Sequence, residues 1–328
     1  MLLDLFILGS SAATPTKDRN LSSIAIRYRN KVILFDCGED FQRKYADAGL
    51  KFNKPLLIFI THFHGDHIIG LPGFLFRLSL NERTAPLTIF GPQNLFLYLL
   101  IHRKILGLKA NYPIKIVEID HITQKMSEYE GLESKVPKKK VNIEDNMIYD
   151  SKYFFIKYAL VDHSVITYAY AFNEKLRLGK FYPDRARELG IPESHLWKIL
   201  QEGKLVEFKG NKVDPVKEGI IGPKRPGRKI TYSGDLRPTK TLIDLGKGSD
   251  ILIHEATFAE NLAELAEEKK HSTSTDAAID AKEMKAKQLI LTHISSRYQG
   301  DASKLLEEAK KIFLNTILAK DLLKIELK

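Results

Sequence analysis

At 328 residues the chain is long enough to bury a large core, as one large domain or two. Its single cysteine, Cys37, excludes an intrachain disulfide and points to a reducing compartment. The formal net charge is +10, and no apolar run approaches the roughly 20 residues that a membrane-crossing helix needs.

The first run, Met1 to Gly9, has the apolar character of a secretory leader but lacks a basic start, and Asp4 interrupts it. It reads as a first β-strand, and the chain as a cytoplasmic protein without a membrane segment. Thr14 to Asn20 combines a turn-forming proline with Lys17, Arg19 and Asn20, side chains suited to phosphate and base edges. Residues 22–28 and 31–35 read as a hairpin about Arg29-Asn30.

The apolar run 56–60 ends in Thr61-His62-Phe63-His64-Gly65-Asp66-His67. Four polar side chains at the end of a buried strand need partners. Imidazole and carboxylate together suit Zn²⁺, with Mn²⁺ or Fe²⁺ as alternatives. In an extended segment His62 and His64 point the same way, because side chains repeat every two residues. Asp66 and His67 follow a glycine and can be aimed at a second point, so one loop can serve two metals. Three further strand ends offer ligands to complete the shells: His163 after residues 158–162, Asp235 after Ser233-Gly234, and His293 after residues 288–292.

Between these lie elements of other kinds. Residues 94–106 have helical periodicity, with Leu95, Tyr98, Leu99 and His102 near one face. Gln124 to Met147, charged and poor in apolar residues, reads as a mobile loop. Asn173 to Lys209 breaks the strand–helix rhythm and sets Leu176, Phe181, Tyr182 and Trp197 among basic residues. Residues 171–230 hold 14 Lys or Arg against 8 Asp or Glu, so 6 of the 10 net charges fall in 60 residues. Concentrated beside a metal centre, that charge suits a polyanionic substrate. Asp276 to Lys287 and Ala302 to Phe313 read as amphipathic helices. Strands interleaved with helices, with polar groups at strand ends, favour a layered α/β architecture.

The ordered motifs resemble the metallo-β-lactamase superfamily: the H-x-H-x-D-H loop, then His163, Asp235 and His293. Within it, the chain is most similar to the tRNase Z family. That likeness is carried by residues 15–20 (P-x-K-x-R-N), 35–39 (F-D-C-G-E), 71–73, 254–258 (H-E-A-T-F) and 271–273 (H-S-T), and it runs from about Leu5 to about Ser295. It implies one domain over 1–328, an α/β fold of αββα sandwich type with metals at the sheet edge, and an inserted basic arm over 173–209 that binds substrate. The family's glycine-proline element after Gly190-Ile191-Pro192 is replaced here by Glu193-Ser194-His195.

The resemblance also implies roles. Two Zn²⁺ per subunit would be held by His62, His64 and His163 on one side and Asp66, His67 and His293 on the other, with Asp235 shared. Such a pair supplies a nucleophile at neutral pH. Asp66 would orient it or take its proton, and His271, held by Glu255, would protonate the leaving oxygen. His254, beside Glu255 on an extended run, should face the other way and has no catalytic role. Lys17, Arg19 and Asn20 near the cut, and Lys175, Arg177 and Lys180 in the arm, would bind precursor tRNA by shape and backbone, with the arm's aromatic residues beside them. The implied reaction removes the 3′ trailer after the discriminator nucleotide, in a homodimer with no other protein partner evident. Two other readings are a dinuclear hydrolase of small esters or phosphodiesters, which needs no arm, and a non-catalytic RNA-binding protein, which needs no ligand set.

Overall fold

A computed structural model describes residues 3–134 and 136–327. Two large sheets dominate it. The first has nine strands in the order 324–327, 3–9, 23–28, 31–35, 56–59, 87–92, 114–120, 125–130 and 139–142. The second has seven, in the order 147–150, 154–161, 167–174, 229–232, 251–255, 288–292 and 316–318. In each sheet the central strands run parallel, pairing Phe35 with Phe59, Phe59 with Phe90, Tyr232 with Ile253 and Ile253 with Ile290.

The central strands are apolar on both faces because both faces are covered. On strands 31–35 and 56–59, Leu34 and Ile58 pack with Phe41, Leu71, Phe74, Leu75 and Leu99 of flanking helices. Phe35 and Phe59 point the other way, as the two-residue period requires. There they meet the second sheet: Phe35 lies 5.9 Å from both Tyr170 and Tyr232, and Phe59 lies 5.4 Å from Tyr170. The second sheet's outer face carries Leu252, Leu289 and Leu291 against Ala277, Ala278, Ala281 and Leu305. The layers are therefore helix, sheet, sheet, helix.

The expected hairpin forms with Arg29 at φ 57°, and residues 3–9 form the expected first strand. The three expected helices appear as Leu95–Leu106, Ser274–Glu283 and Ser303–Lys310. The mobile loop expected over 124–147 is corrected. It contains strands Lys125–Glu130 and Lys139–Asn142, which extend the first sheet, with Met126 buried and Lys115 bonded to Glu128 at 3.0 Å. Opposite charges on neighbouring strands stabilise a sheet margin that composition alone reads as disordered. Lys135 lies outside the described residues.

Chain contacts separate two compact units: Met1–Asp150, Ile156–Phe172 and Lys229–Lys328 in one, Ser151–Phe155 and Asn173–Arg228 in the other. The smaller unit has its own core of Ala186, Ile191, Trp197, Leu200, Val206 and Ile220. Helices Pro183–Glu188 and His195–Gln201 and a hairpin of strands 206–208 and 211–213 supply it. It extends past the expected end at Lys209, because residues 220–225 return to pair with 177–182; Arg177 and Arg225 exchange backbone bonds of 2.9 Å in both directions. At its ends, Arg228 grips the Glu174 carboxylate at 2.7 and 2.9 Å.

One residue of this unit differs from expectation. Trp197 is 6% exposed and its indole N–H donates to the Ile191 carbonyl at 3.1 Å, so it is a core residue rather than a stacking platform. Tyr182, by contrast, is 42% exposed. Ser194, in the departure from the family element, caps the second helix by accepting from the Leu196 N–H at 3.3 Å.

Candidate metal centre

Six of the seven predicted ligands sit where parallel strands of the two sheets end, the usual place for a site in a parallel α/β sheet, and His163 follows strand 154–161. Strand 56–59 delivers the histidine loop, strand 229–232 delivers Asp235, and strand 288–292 delivers His293. Asp235 follows Gly234, whose φ is 63° and where an added Cβ would lie 3.2 Å from the Thr61 side chain. Only glycine turns the chain there without strain.

Two groups result. His62, His64, His163 and Asp235 form one, and Asp66, His67, Asp235 and His293 the other; within each, the ligand atoms lie within 4.8 Å of one another. Asp235 Oδ2 is 3.3 Å from His67 Nε2, 3.2 Å from His293 Nε2 and 3.7 Å from His62 Nε2. The Asp66 carboxylate lies 3.2 Å from His293 Nε2 and accepts the Ala13 N–H at 2.8 Å.

The outer hydrogen bonds fix which nitrogen of each ring faces inward. The Thr61 hydroxyl donates to Asp36 at 2.9 Å, so it can only accept from His62 Nδ1, also 2.9 Å away. His67 Nδ1 donates to Asp36 at 2.7 Å, and His163 Nδ1 donates to the Lys270 carbonyl at 2.8 Å. His293 Nδ1 lies 2.8 Å from the Thr257 hydroxyl, which donates to Glu255 at 2.6 Å. Each of these four rings therefore holds its Nδ1 proton outward and, when neutral, turns its Nε2 lone pair inward. His67 Nε2 and His293 Nε2 stand 3.3 Å apart, too close for both to carry a proton. Among the described residues, His62 Nε2 and Asp235 Oδ1 are buried without a hydrogen-bond partner.

Converging lone pairs and carboxylates fit a cation. Burial holds His62, His64 and His163 below the ordinary histidine range, neutral as ligands must be. Burial also disfavours charge on His67, yet Asp235 and Asp36 outweigh it and push its pKa well up, a sign that this half of the site calls for positive charge. Asp235 behaves conversely: burial favours its neutral form, but His293 and His67 keep it ionised.

A third cluster adjoins these. His271 Nδ1 lies 2.9 Å from Glu255 Oε1, and Glu255 is wholly buried. Burial alone would lower His271, but the charge and hydrogen bond of Glu255 prevail and hold its pKa up at about 9. The H-S-T residues fix this histidine: Ser272 Oγ donates to the Leu236 carbonyl at 2.7 Å, and Thr273 caps helix 274–283 in a reciprocal box with Asp276. His254 faces away, bonded to Asp280 at 3.2 Å.

The substrate-binding candidates divide. Lys17 is exposed. Arg19 donates to Ser10 and to the Ala319 carbonyl at 2.7 and 2.6 Å, and Asn20 N–H donates to Asp321 at 2.7 Å; both hold their loop in place. Lys180 is exposed, while Arg177 is half-buried and donates to the Pro226 carbonyl at 3.2 Å. Lys175 is half-buried.

Sequence reasoning missed Asp36, Thr61 and Thr257 as orienting groups. Asp36 was findable: it ends the apolar run 32–35, the same strand-then-carboxylate signature as Asp235. It also accepts the Tyr232 hydroxyl at 3.0 Å.

This fold and ligand arrangement define a metallo-β-lactamase-fold metal-binding protein. The structure is similar to the metallo-β-lactamase fold protein YhfI from Bacillus subtilis (TM-score 0.65, 17% identity, 99% of each chain). It is also similar to the short form of human tRNase Z, ELAC1 (TM-score 0.65, 25% identity, 98% of each chain). Residues 3–112 match the family model described as anti-Pycsar protein Apyc1. Over 99% of its length the chain is 38% identical to ribonuclease Z of Nitrosopumilus maritimus, all of which is covered. The chain belongs to the ribonuclease Z family.

Substituting Asp235→Ala removes the one carboxylate common to both groups. Metal analysis of the purified variant should show loss of most bound metal at both groups; unchanged metal content contradicts the shared role.

Proposed function

We propose that the protein is an endoribonuclease that removes 3′ trailers from precursor tRNA. Cleavage after the discriminator nucleotide would leave a 3′-hydroxyl on the tRNA and a 5′-phosphate on the trailer. The observation that carries this reading is the end-to-end identity with ribonuclease Z.

Two Zn²⁺ per subunit fit the two ligand groups, with Asp235 in both. Bound there, zinc would supply a water-derived nucleophile at neutral pH and offset charge on the scissile phosphate. Asp66 is placed to orient that nucleophile or take its proton, since its carboxylate reaches the inner face of the site and burial does not stop it ionising: the His293 hydrogen bond and the His67 charge hold it well below the usual carboxylate range. His271, kept protonated by Glu255, donates to the departing 3′-oxygen. Its side chain is 17% exposed, enough to meet a substrate.

RNA binding falls to surface cations. Lys17 serves the acceptor end, and Lys175, Arg177 and Lys180 of the smaller unit serve the tRNA body. We assign that unit, rather than residues 173–209 alone, as the tRNA-binding arm, because its core needs Ile220 as well as Trp197. A homodimer in the cytoplasm completes the proposal. Among the described residues no helix is long and apolar enough to cross a membrane.

Incubation with a precursor tRNA, followed by end mapping, should give one cut after the discriminator with the stated ends. Trimming from the 3′ end, or no cut while small phosphodiesters are hydrolysed, contradicts the reading. His271→Ala should slow this cut by about 10²–10⁴-fold with metal retained. The parental rate should fall as pH rises through about 9, where His271 loses its proton, and the variant should lack that limb. A parental rate in the variant removes the acid role. Replacing Lys175 and Lys180 with alanine should weaken tRNA binding and make its salt dependence shallower by roughly one to two in log–log slope. Hydrolysis of a small phosphodiester should not change; an unchanged slope would separate these lysines from the tRNA.

A further inference from the structure

We propose that Thr257 is a positioning residue that ties the metal ligand His293 to Glu255, the carboxylate holding the proton donor His271, so that one buried group sets both. This rests on the metal-centre and proton-donor roles proposed above.

Thr257 stands just past strand 251–255 and is 5% exposed. Its hydroxyl oxygen lies 2.6 Å from Glu255 Oε2, 2.8 Å from His293 Nδ1 and 3.4 Å from His271 Nδ1. A hydroxyl has one proton to give, and an ionised carboxylate can only accept. The Thr257 proton therefore goes to Glu255, and His293 must donate its Nδ1 proton to Thr257. His293 is thereby fixed with Nε2 turned towards Asp66 and Asp235, 3.2 Å from each.

The same carboxylate serves the acid through its other oxygen. Glu255 Oε1 accepts from His271 Nδ1 at 2.9 Å and from the Leu236 N–H at 2.8 Å. Glu255 thus divides its charge between the acid, directly, and the ligand, through Thr257. A valine at 257 keeps the β-branched shape but removes the relay; a serine keeps the hydroxyl. Thr61 forms the corresponding link in the other ligand group, from His62 to Asp36, a carboxylate that also holds His67.

The test is zinc affinity by chelator competition on the full-length protein, with melting of the metal-free forms as a folding control. The parental protein should bind two zinc ions. Thr257→Val should weaken one of them by about 10–100-fold, the usual cost of losing a group behind a metal ligand, and spare the other. Thr257→Ser should recover parental affinity within a few-fold. Glu255→Gln combined with Thr257→Val should be no weaker than the weaker single variant, because the threonine acts through that carboxylate. The parental protein gives an answer independent of any variant: zinc-loaded and ¹⁵N-labelled, it should show a slowly exchanging proton on His293 Nδ1. Parental affinity in Thr257→Val, no recovery with serine, additive losses, or a His293 without that proton would each overturn the proposal. A parental protein that binds no zinc overturns the metal-centre reading along with it.

Discussion

Asp235 is a buried carboxylate faced by three imidazole nitrogens whose rings have already spent their protons elsewhere. His62 gives its proton to Thr61, His67 to Asp36 and His293 to Thr257. When those rings are neutral, what remains at the centre is negative charge and lone pairs, out of water, and among the described residues Asp235 Oδ1 and His62 Nε2 lack any hydrogen-bond partner. Removing charge from water costs several kcal/mol per ion unless a counter-charge replaces the solvent. The arrangement is therefore one half of an electrostatic pair, a donor set that a bound cation would complete. The other features of the site follow from the need to hold that half in place.

The fold supplies the holding. Asp36, Thr61, Asp235, Glu255 and His293 all lie at or just beyond the ends of parallel strands, drawn from both sheets. Aromatic side chains between the sheets, such as Phe35 against Tyr170 and Tyr232, fix how those ends face each other. The chain accepts strain to do this. His293 has φ 55° and Asp36 φ 61°, left-handed values that cost a non-glycine residue about 1–2 kcal/mol. Both residues belong to the site, where the surrounding hydrogen bonds hold the strained backbone.

Much of this was legible in the sequence because the site is built on strand ends. An apolar run followed by His or Asp is visible at 56–67, 158–163, 229–235 and 288–293, and it brought the seven ligand candidates into view before any geometry. The orienting threonines were not legible: Thr61 and Thr257 look like ordinary β-formers, and only the distances to His62 and His293 reveal their part. Trp197 misled for a related reason, since an aromatic among basic residues has the composition of an RNA-binding surface whether its ring points out or into a small core. The strands over 125–142 escaped because their stabilising contacts are cross-strand charge pairs, which leave no apolar alternation to read. The extension of the smaller unit to Arg228 depends on a return pairing with residues 177–182, a non-local contact that no local pattern announces.

The central claim is that Asp235 sits between two cations. Anomalous scattering at the zinc edge from crystals of the zinc-loaded protein tests it directly. The account predicts two peaks roughly 3.5–4 Å apart, one among His62, His64 and His163 and one among Asp66, His67 and His293, with Asp235 touching both. A single peak, or peaks that Asp235 does not bridge, would contradict it.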